Sequence, residues 1–337
     1  TDHSPNPGRA KWRSIVQFLA GVAIMAGIGM AIRFIAGQVK NEQLPAGWQI
    51  IRPPHEVSAL ALSGDTVWAG GRDGLYRLER TSGQLLSPPE NMPRLRYVRD
   101  LLVDAEGTLW IAHQKGIMTY SSDLWQPLAT EPFGSARALC QGSDGSIWIG
   151  TENGAFRYKG GHMDRFAPES LGFSQIDIIY QDSKGNVWFG SSAPTRGGLT
   201  RYDGEDFARY SSPDPLPHPS VNDIIEASVA EIWVATGFAG RGGAVCLSHG
   251  SWSSLTEEDG LAGAKVRSLF EDEKGRLWIG SEYNGLAIRD RDEGHWRYLS
   301  VEDGLADVEV KTILQDTDGV YWLGTADGIS RIEPPVW

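Results

Sequence analysis

The amino-acid sequence predicts an all-β fold, a seven-bladed β-propeller closed by an N-terminal strand and preceded by one transmembrane α-helix. Three observations predict it. Glycine supplies 41 of 337 residues, more than the average of ~7%, and such a content without a collagen period indicates many tight turns between short strands. A tryptophan-centred pattern recurs seven times, and a long apolar run lies near the N-terminus.

The first predicted element is the apolar run from Ile15 to Ile32, in which Gln17 is the one strongly polar residue. About 20 apolar residues span a bilayer as one helix. A cleaved signal peptide is the alternative, but its apolar core would be only about 7–15 residues long and would end in an Ala-x-Ala-like site. The predicted boundaries are those of a cytoplasmic tail, a transmembrane helix and a linker: residues 1–13, 14–36 and 37–46.

Charge is distributed unevenly between this region and the rest of the chain. Residues 1–46 hold five basic and two acidic residues, and the remainder holds 26 basic and 41 acidic residues. Because Arg9, Lys11 and Arg13 precede the apolar run, the N-terminus is predicted to be cytoplasmic and the propeller periplasmic, on the outer side of a bacterial inner membrane. The acidic remainder argues against a nucleic-acid partner, which would need a basic surface.

Small residues mark one side of the predicted helix. Ala23, Gly27 and Ala31 recur every four residues, and that spacing lets a second transmembrane helix approach closely. The alternative is the ordinary use of alanine and glycine in membrane helices. The partners expected here are other membrane-protein subunits, with the lipid bilayer around residues 14–36.

The remaining chain repeats one pattern: an apolar strand, Asp-x-x-Gly, two residues, tryptophan, one apolar residue, then glycine or alanine. Its tryptophans are spaced 38 to 45 residues apart: Trp68, Trp110, Trp148, Trp188, Trp233, Trp278 and Trp322. Four short strands in each repeat of this length are typical of propeller blades. Aspartate and glycine close turns, so we interpret them as structural residues and not as metal ligands.

The two ends of the repeat region predict how the propeller closes. The sixth repeat shows four strand-like runs: Val266–Glu271, Arg276–Gly280, Leu286–Arg289 and His295–Ser300. The last repeat supplies only three, and residues 47–52 match the missing fourth. An N-terminal strand in the last blade leaves no open sheet edge. The sequence therefore predicts one seven-bladed propeller over residues 47–337.

These repeats resemble the two-component regulator propeller repeat, most closely in the copies that begin at Asp104, Asp272 and Asp316. That family occurs as the extracellular sensory part of hybrid histidine kinases, so the resemblance implies a propeller outside the cytoplasm. Sensors of the family continue into a further β-domain, a second membrane crossing and a kinase. We recognise no kinase in this sequence and expect that the chain does not pass on a signal by itself.

The sequence gives little support for catalysis, and we predict no enzymatic activity, no cofactor and no metal site. Its seven histidines show neither an HExxH pattern nor a repeated blade position, and the G-x-S-x-G and P-loop motifs are absent. A propeller lyase stays open as an alternative, because its few acid and base residues would leave little trace.

A basic collar at one mouth of the central channel is the first predicted binding surface. Aligning the innermost strands, which line the channel of a propeller, places one residue of each blade at the same position. Four of the seven are basic: Arg99, Arg137, Arg267 and Lys311. Local pairing with nearby carboxylates is the alternative: Asp100, Asp177 and Asp223.

Two neighbouring blades carry a longer loop between their second and third strands. The inserted stretches, residues 193–198 and 238–243, each contain an Arg-Gly-Gly sequence that includes Arg196 or Arg241. Insertions on a rigid scaffold are where binding residues usually lie. We expect these loops to share a face with the collar, directed away from the membrane, and to contact a partner or ligand.

Together these features predict a non-catalytic, membrane-anchored accessory or scaffold subunit of a larger bacterial membrane complex, for example a photosynthetic or respiratory one. A soluble periplasmic protein is a further expected partner of the acidic propeller. The alternatives are an extracytoplasmic ligand-sensing module that works with a separate transducer, and the propeller lyase.

Overall fold

Each copy of the tryptophan pattern folds into one four-stranded antiparallel sheet, and seven such sheets form the blades of a propeller in a computed structural model. The structure describes residues 44–128, 134–291 and 294–335. The predicted all-β, seven-bladed fold is therefore confirmed. The predicted transmembrane helix over 14–36, with Ala23, Gly27 and Ala31, lies outside the described residues. In the described part, no helix is long and apolar enough to cross a bilayer.

Blades 1 to 4 contain sixteen strands in chain order: β2 (Ala59–Ser63), β3 (Thr66–Gly71), β4 (Gly74–Glu79), β5 (Leu85–Leu86); β6 (Asp100–Val103), β7 (Leu109–His113), β8 (Gly116–Ser121), β9 (Leu124–Pro127); β10 (Ala136–Gln141), β11 (Ile147–Thr151), β12 (Gly154–Lys159), β13 (His162–Phe166); β14 (Ile178–Gln181), β15 (Val187–Ser191), β16 (Gly198–Tyr202), β17 (Phe207–Tyr210). In each blade the first strand is the innermost.

Blades 5 to 7 contain the other strands: β18 (Val221–Ala227), β19 (Glu231–Phe238), β20 (Arg241–Ser248), β21 (Ser251–Leu255); β22 (Val266–Glu271), β23 (Leu277–Ser281), β24 (Leu286–Arg289), β25 (Trp296–Leu299); β26 (Val310–Gln315), β27 (Tyr321–Thr325), β28 (Gly328–Ile332) and β1 (Trp48–Ile51). Two short helices lie between strands: α1 (Pro168–Leu171) and a 3-10 helix (Glu257–Asp259).

Closure of the ring follows the sequence prediction. Strand β1 pairs antiparallel with β28, with Trp48 opposite Ile332 and Ile51 opposite Ile329. The first strand of the described chain thus completes the last blade and leaves no open edge there.

The Asp-x-x-Gly segment closes the turn between the first two strands of a blade. In blade 6, the Gly275 N–H donates to the Asp272 carbonyl at 2.8 Å, and Gly275 has φ +73°. The Asp272 carboxylate accepts from the Arg276 backbone N–H at 2.9 Å and from Trp278 Nε1 at 2.8 Å. The first of these bonds holds Arg276 in the turn, so the second strand begins at Leu277, one residue later than predicted.

The core is divided among the blade interfaces. Seven clusters of buried side chains occur in the described part, and each joins two adjacent blades. The glycine two residues after the tryptophan lets the next blade approach: a Cβ on Gly150 would lie 2.7 Å from the Ile176 carbonyl oxygen, and one on Gly280 would lie 2.7 Å from that of Val310. The repeated glycines therefore set the distance between blades.

Candidate partner-binding face around the channel mouth

The propeller has two faces. We call the mouth face the one that carries the starts of the innermost strands and the loops between second and third strands. The turn face carries the Asp-x-x-Gly turns. Contacts show that the two features of the mouth face are close: Arg137, near the start of β10, donates at 3.2 Å to Glu152, in the β11–β12 loop. This contact places a collar residue and a second-to-third-strand loop on one face, and that this face is directed away from the membrane stays a prediction.

The collar residues owe their position to a backbone irregularity. In four blades the innermost strand has a register shift at the collar position, so one extra residue stands opposite the second strand. Such a β-bulge re-aims the side chain that it carries. The bulged residues are Arg137, Asn222, Arg267 and Lys311.

Three of the four collar cations are paired with carboxylates. Arg137 also donates to Asp177 at 2.8 Å, Arg267 lies 3.2 Å from Glu309, and Lys311 lies 2.6 Å from Glu56. These three bonds link neighbouring blades, because each carboxylate lies just before the innermost strand of the next blade. The collar is therefore largely neutralised, and Arg99 is its one cation without an ion pair in the described part of the chain.

The environment of the carboxylates agrees with this pairing. Burial opposes ionisation of Glu56 and Glu282, but hydrogen bonds from Lys311 and Lys265 hold the pKa of each below its usual value. Burial raises the pKa of Glu309, against the attraction of Lys311 and Arg267. Glutamate side chains therefore neutralise much of the positive charge at this side of the channel.

Asp100 and Asp223 do not pair with the collar, in contrast to the alternative considered from sequence. Asp100 accepts from the Leu139 N–H of the next blade at 2.7 Å, and Asp223 accepts from the Leu269 N–H at 2.7 Å. Burial raises the pKa of each carboxyl to about 7. These two residues connect innermost strands of adjacent blades and have a structural role. Of the predicted pairings, only that of Asp177 with Arg137 is confirmed.

The two inserted stretches fold differently. In blade 4 the insertion is a loop, in which the Gly197 N–H donates to the Ala193 carbonyl at 3.0 Å and Ser192 Oγ donates to Asp177 at 2.8 Å. These bonds hold the base of the loop against the channel mouth. Arg196 is exposed at its tip and has no ion pair with any described residue.

In blade 5 the insertion lengthens β19 and β20 into a hairpin. Phe238 pairs with Arg241 at its end, and the two turn residues Ala239 and Gly240 have φ +49° and +75°. Arg241 is exposed and makes no ion pair in the part that the structure describes. The hairpin therefore presents an aromatic ring and a guanidinium side by side.

Exposed aromatic side chains are the feature that sequence reasoning missed. Tyr97, Phe238 and Tyr283 are 41%, 44% and 50% exposed, and all three lie on the mouth face. Phe238 and Tyr283 belong to the second-to-third-strand loops of adjacent blades, and the Lys265 ammonium lies 5.3 Å from the Phe238 ring centre. An aromatic residue inside an inserted loop was the available signal for Phe238.

The same face carries no arrangement that indicates catalysis. Among the described residues, no group of three or more histidine, cysteine, aspartate or glutamate side chains could hold a metal ion. Burial lowers the pKa of His218, and the charges of Arg241 and Lys265 lower it further, so His218 is neutral near pH 7. The exposed side chains of this region include aromatic and cationic groups.

Comparison with known proteins supports the family and the fold. The two-component regulator propeller family matches residues 130–153, 170–193, 260–283 and 304–327. No curated protein matches the chain in sequence.

Several solved structures share the propeller. The extracellular domain of a B. thetaiotaomicron protein described as a hybrid two-component system superposes with a TM-score of 0.75 at 20% identity, over 87% of this chain. The match covers 42% of that chain, so this sequence spans less than half of its length.

Two other propellers match along nearly their whole length. Virginiamycin B lyase from Staphylococcus aureus has a TM-score of 0.66 at 14% identity, with 85% of this chain and 98% of the lyase covered. YCF48 bound to a D1 peptide has a TM-score of 0.65 at 12% identity, with 86% and 99% covered. At these identities the likeness concerns the fold alone. The chain is thus a seven-bladed propeller that carries repeats of the two-component regulator propeller family.

Proposed function

We propose that this protein is a non-catalytic, membrane-anchored propeller that binds a partner protein through its mouth face, as an accessory subunit of a bacterial membrane complex. The partner surface is the sector formed by the blade 4 loop, the blade 5 hairpin and the adjoining blade 6 loop. It contains Arg196, Phe238, Arg241 and Tyr283.

One observation carries the proposal. On the hairpin end, an exposed aromatic ring and an exposed arginine without an ion pair to any described residue lie next to each other, and the corresponding loop of the next blade carries a second exposed aromatic residue. Aromatic residues and arginine dominate the binding energy of protein interfaces, and such residues are rarely left exposed together without a use. The cations favour a partner segment with acidic side chains, and the rings favour one with an apolar anchor residue.

The solved relatives are compatible with this use of the fold. One of them is an extracellular domain, and another is a propeller with a bound peptide. An extracytoplasmic propeller that recognises a protein segment is therefore within the range of functions of this architecture. A ligand-sensing module is the second candidate, and the family of the repeats favours it.

Charge reversal tests the partner surface. The full-length protein is isolated from its native membranes in mild detergent, and the co-purifying subunits are identified for the wild type and for the double variant Arg196→Glu/Arg241→Glu. We expect the variant to lose its partner, because like charges would face the partner's acidic side chains.

A matched control separates this effect from net charge. Lys184 and Lys274 are exposed on the turn face and form no ion pair with any described side chain. The variant Lys184→Glu/Lys274→Glu changes the charge by the same amount and should keep the partner. Unchanged co-purification with the Arg196/Arg241 variant would overturn the proposal.

A further inference from the structure

A second region of the mouth face, separate from the proposed partner surface, contains a cavity between blades 2 and 3. Its volume is about 740 Å³, which is in the range of small-molecule sites. It is lined by the start of β6, the β7–β8 loop, the end of β9 and the segment before β10. Its lining includes polar and cationic side chains as well as apolar ones: Arg99, His113, Lys115, Ser135, Ile117 and Leu128.

The cavity is lined by two buried polar side chains, Ser135 and His113. Ser135 is 8% exposed, and its hydroxyl has no hydrogen-bond partner among the described residues. His113 is also 8% exposed, and its Nδ1 accepts from the Lys115 backbone N–H at 3.3 Å. That bond places the ring proton on Nε2, and burial together with the charge of Lys115 lowers the pKa of His113, so the ring is neutral. An unsatisfied buried hydroxyl is costly, and a ligand acceptor would remove the cost.

Two cations at the same cavity are also unpaired. Neither Arg99 nor Lys115 forms an ion pair with a described residue. Glu152, the carboxylate of the cavity lining, accepts from Arg137 at 3.2 Å. Burial and the charge of Arg137 lower the pKa of Arg99, whereas the charges of Asp177, Glu152 and Glu56 act in the opposite direction. An anion in the cavity would give Arg99 and Lys115 a direct ion-pair partner.

One wall of the cavity is apolar. Ile117 is buried, and Met118, Pro127 and Leu128 extend the wall beside it. A ligand that fills the site therefore needs a hydrocarbon part next to its anionic group. An inorganic anion such as phosphate has none.

We propose that this cavity binds an organic carboxylate whose apolar body packs on the Ile117–Leu128 wall. Arg99 and Lys115 bind the carboxylate, and the Ser135 hydroxyl and His113 Nε2–H donate to its oxygens. Guanidinium groups match carboxylate geometry with two parallel hydrogen bonds. A free amphiphilic acid and the C-terminus of a peptide share this chemistry, and the experiment distinguishes them.

Calorimetric titration of the purified full-length chain tests the site with four probes. They are 4-phenylbutyrate, a pentapeptide with a C-terminal leucine as the free acid, the same peptide as the amide, and inorganic phosphate. We expect at least one carboxylate to bind, and the amide and phosphate to bind at least about tenfold more weakly, because each lacks one half of the ligand. Whichever acid binds more tightly identifies the source of the carboxylate.

Variants assign the binding to this cavity. Arg99→Gln/Lys115→Gln should weaken carboxylate binding about tenfold or more, and Ser135→Ala less. Lys184→Gln/Lys274→Gln removes the same charge from the turn face and should have no effect. Binding of the amide or of phosphate as tightly as the acids overturns the proposal, and so does an unaltered affinity of the Arg99/Lys115 variant. No partner protein is present in this assay, so its outcome is independent of the partner surface.

Discussion

The turn face repeats one set of side-chain bonds in several blades, whereas the charged and aromatic side chains of the mouth face differ from blade to blade. On the turn face, four aspartates accept from the tryptophan six residues later, at 2.7 to 2.9 Å: Asp104, Asp182, Asp272 and Asp316. The residue before the turn also accepts from a backbone N–H of the preceding blade in five places: Gln141, Gln181, Glu226, Glu271 and Gln315. The mouth face also repeats a bond, from a threonine near the end of the second strand to a glycine carbonyl of the third strand, in three blades: Thr151, Thr236 and Thr325. Its charged and aromatic side chains do not follow such a repeat.

This difference between the two faces indicates that the repeat pattern identifies structural residues and not functional ones. Bonds that recur in four or five of the blades hold the turns and join adjacent blades, so their residues recur in the sequence. Side chains that occur once, such as Phe238, cannot be required by the fold in the same way. Function is therefore expected at the face where the repeat breaks down.

The largest expected effect tests the turn face. Asp272 is fully buried and accepts from Trp278, from Arg276 and from the Tyr321 hydroxyl. Asp272→Ala would leave these donors and a buried guanidinium unsatisfied, so unfolding free energy should fall by about 5 kcal/mol. Urea denaturation measures it.

The matched change is Asp104→Ala in blade 2, where the tryptophan bond is present without a buried arginine partner. It should cost about 2 kcal/mol. Equal losses for the two variants would contradict the assignment of the larger effect to the buried network.

The next effect concerns structural carboxylates near the mouth. Burial raises the pKa of Asp100 to about 7, with a contribution from the charge of Asp223, whereas an unfolded aspartate titrates near pH ~4. Between these values the folded chain keeps a proton that the unfolded chain releases. The contribution of Asp100 to stability therefore decreases as pH rises from 4 to 7 and is constant above 7.

Asparagine carries no charge at any pH. The free energy of unfolding of Asp100→Asn should therefore increase relative to the wild type by about 4 kcal/mol between pH 4 and pH 8. Urea denaturation at several pH values measures this difference, and Asp223→Asn should behave alike. If the difference in unfolding free energy between Asp100→Asn and the wild type does not depend on pH, the folded protein does not hold Asp100 with a raised pKa.

The smallest effect on stability is expected at the mouth face itself. Phe238 is 44% exposed, so Phe238→Ala should change the unfolding free energy little. It should nevertheless weaken partner binding by about 2 kcal/mol, as an aromatic interface residue does. Denaturation and affinity measurements on the same preparation separate the two. If Phe238→Ala lowers the stability but leaves partner binding unchanged, Phe238 has a structural role and the mouth face is not distinguished from the turn face in this way.

Much of the fold was predictable from the sequence because blade geometry is local. The tryptophan spacing indicated seven blades, the Asp-x-x-Gly segments indicated turns, and residues 47–52 indicated the closing strand. The boundary at Leu277 was shifted by one residue because a side-chain bond to Asp272 holds Arg276 in the turn. Periodicity does not report such a bond.

The candidate sites were less predictable. The sequence predicted Arg196 and Arg241 on one face with the collar, but it could not show that Arg137, Arg267 and Lys311 are paired across blades. Nor could it show that the unpaired Arg99 lies with Lys115 and Ser135 around one cavity. The ion pairs join residues that are 40 or more positions apart, and the cavity joins residues 16 to 36 positions apart, so no local pattern records which of them meet.

By itself the sequence determined the number of blades, the closing strand and the residues that build each turn, because each depends on short-range spacing that repeats. The tertiary structure decided which charges are free. Once the ring closes, each inner strand meets its neighbours, and the carboxylate that a cation meets there depends on packing between blades. The free cations, the exposed rings and the unsatisfied donors became visible only in that context.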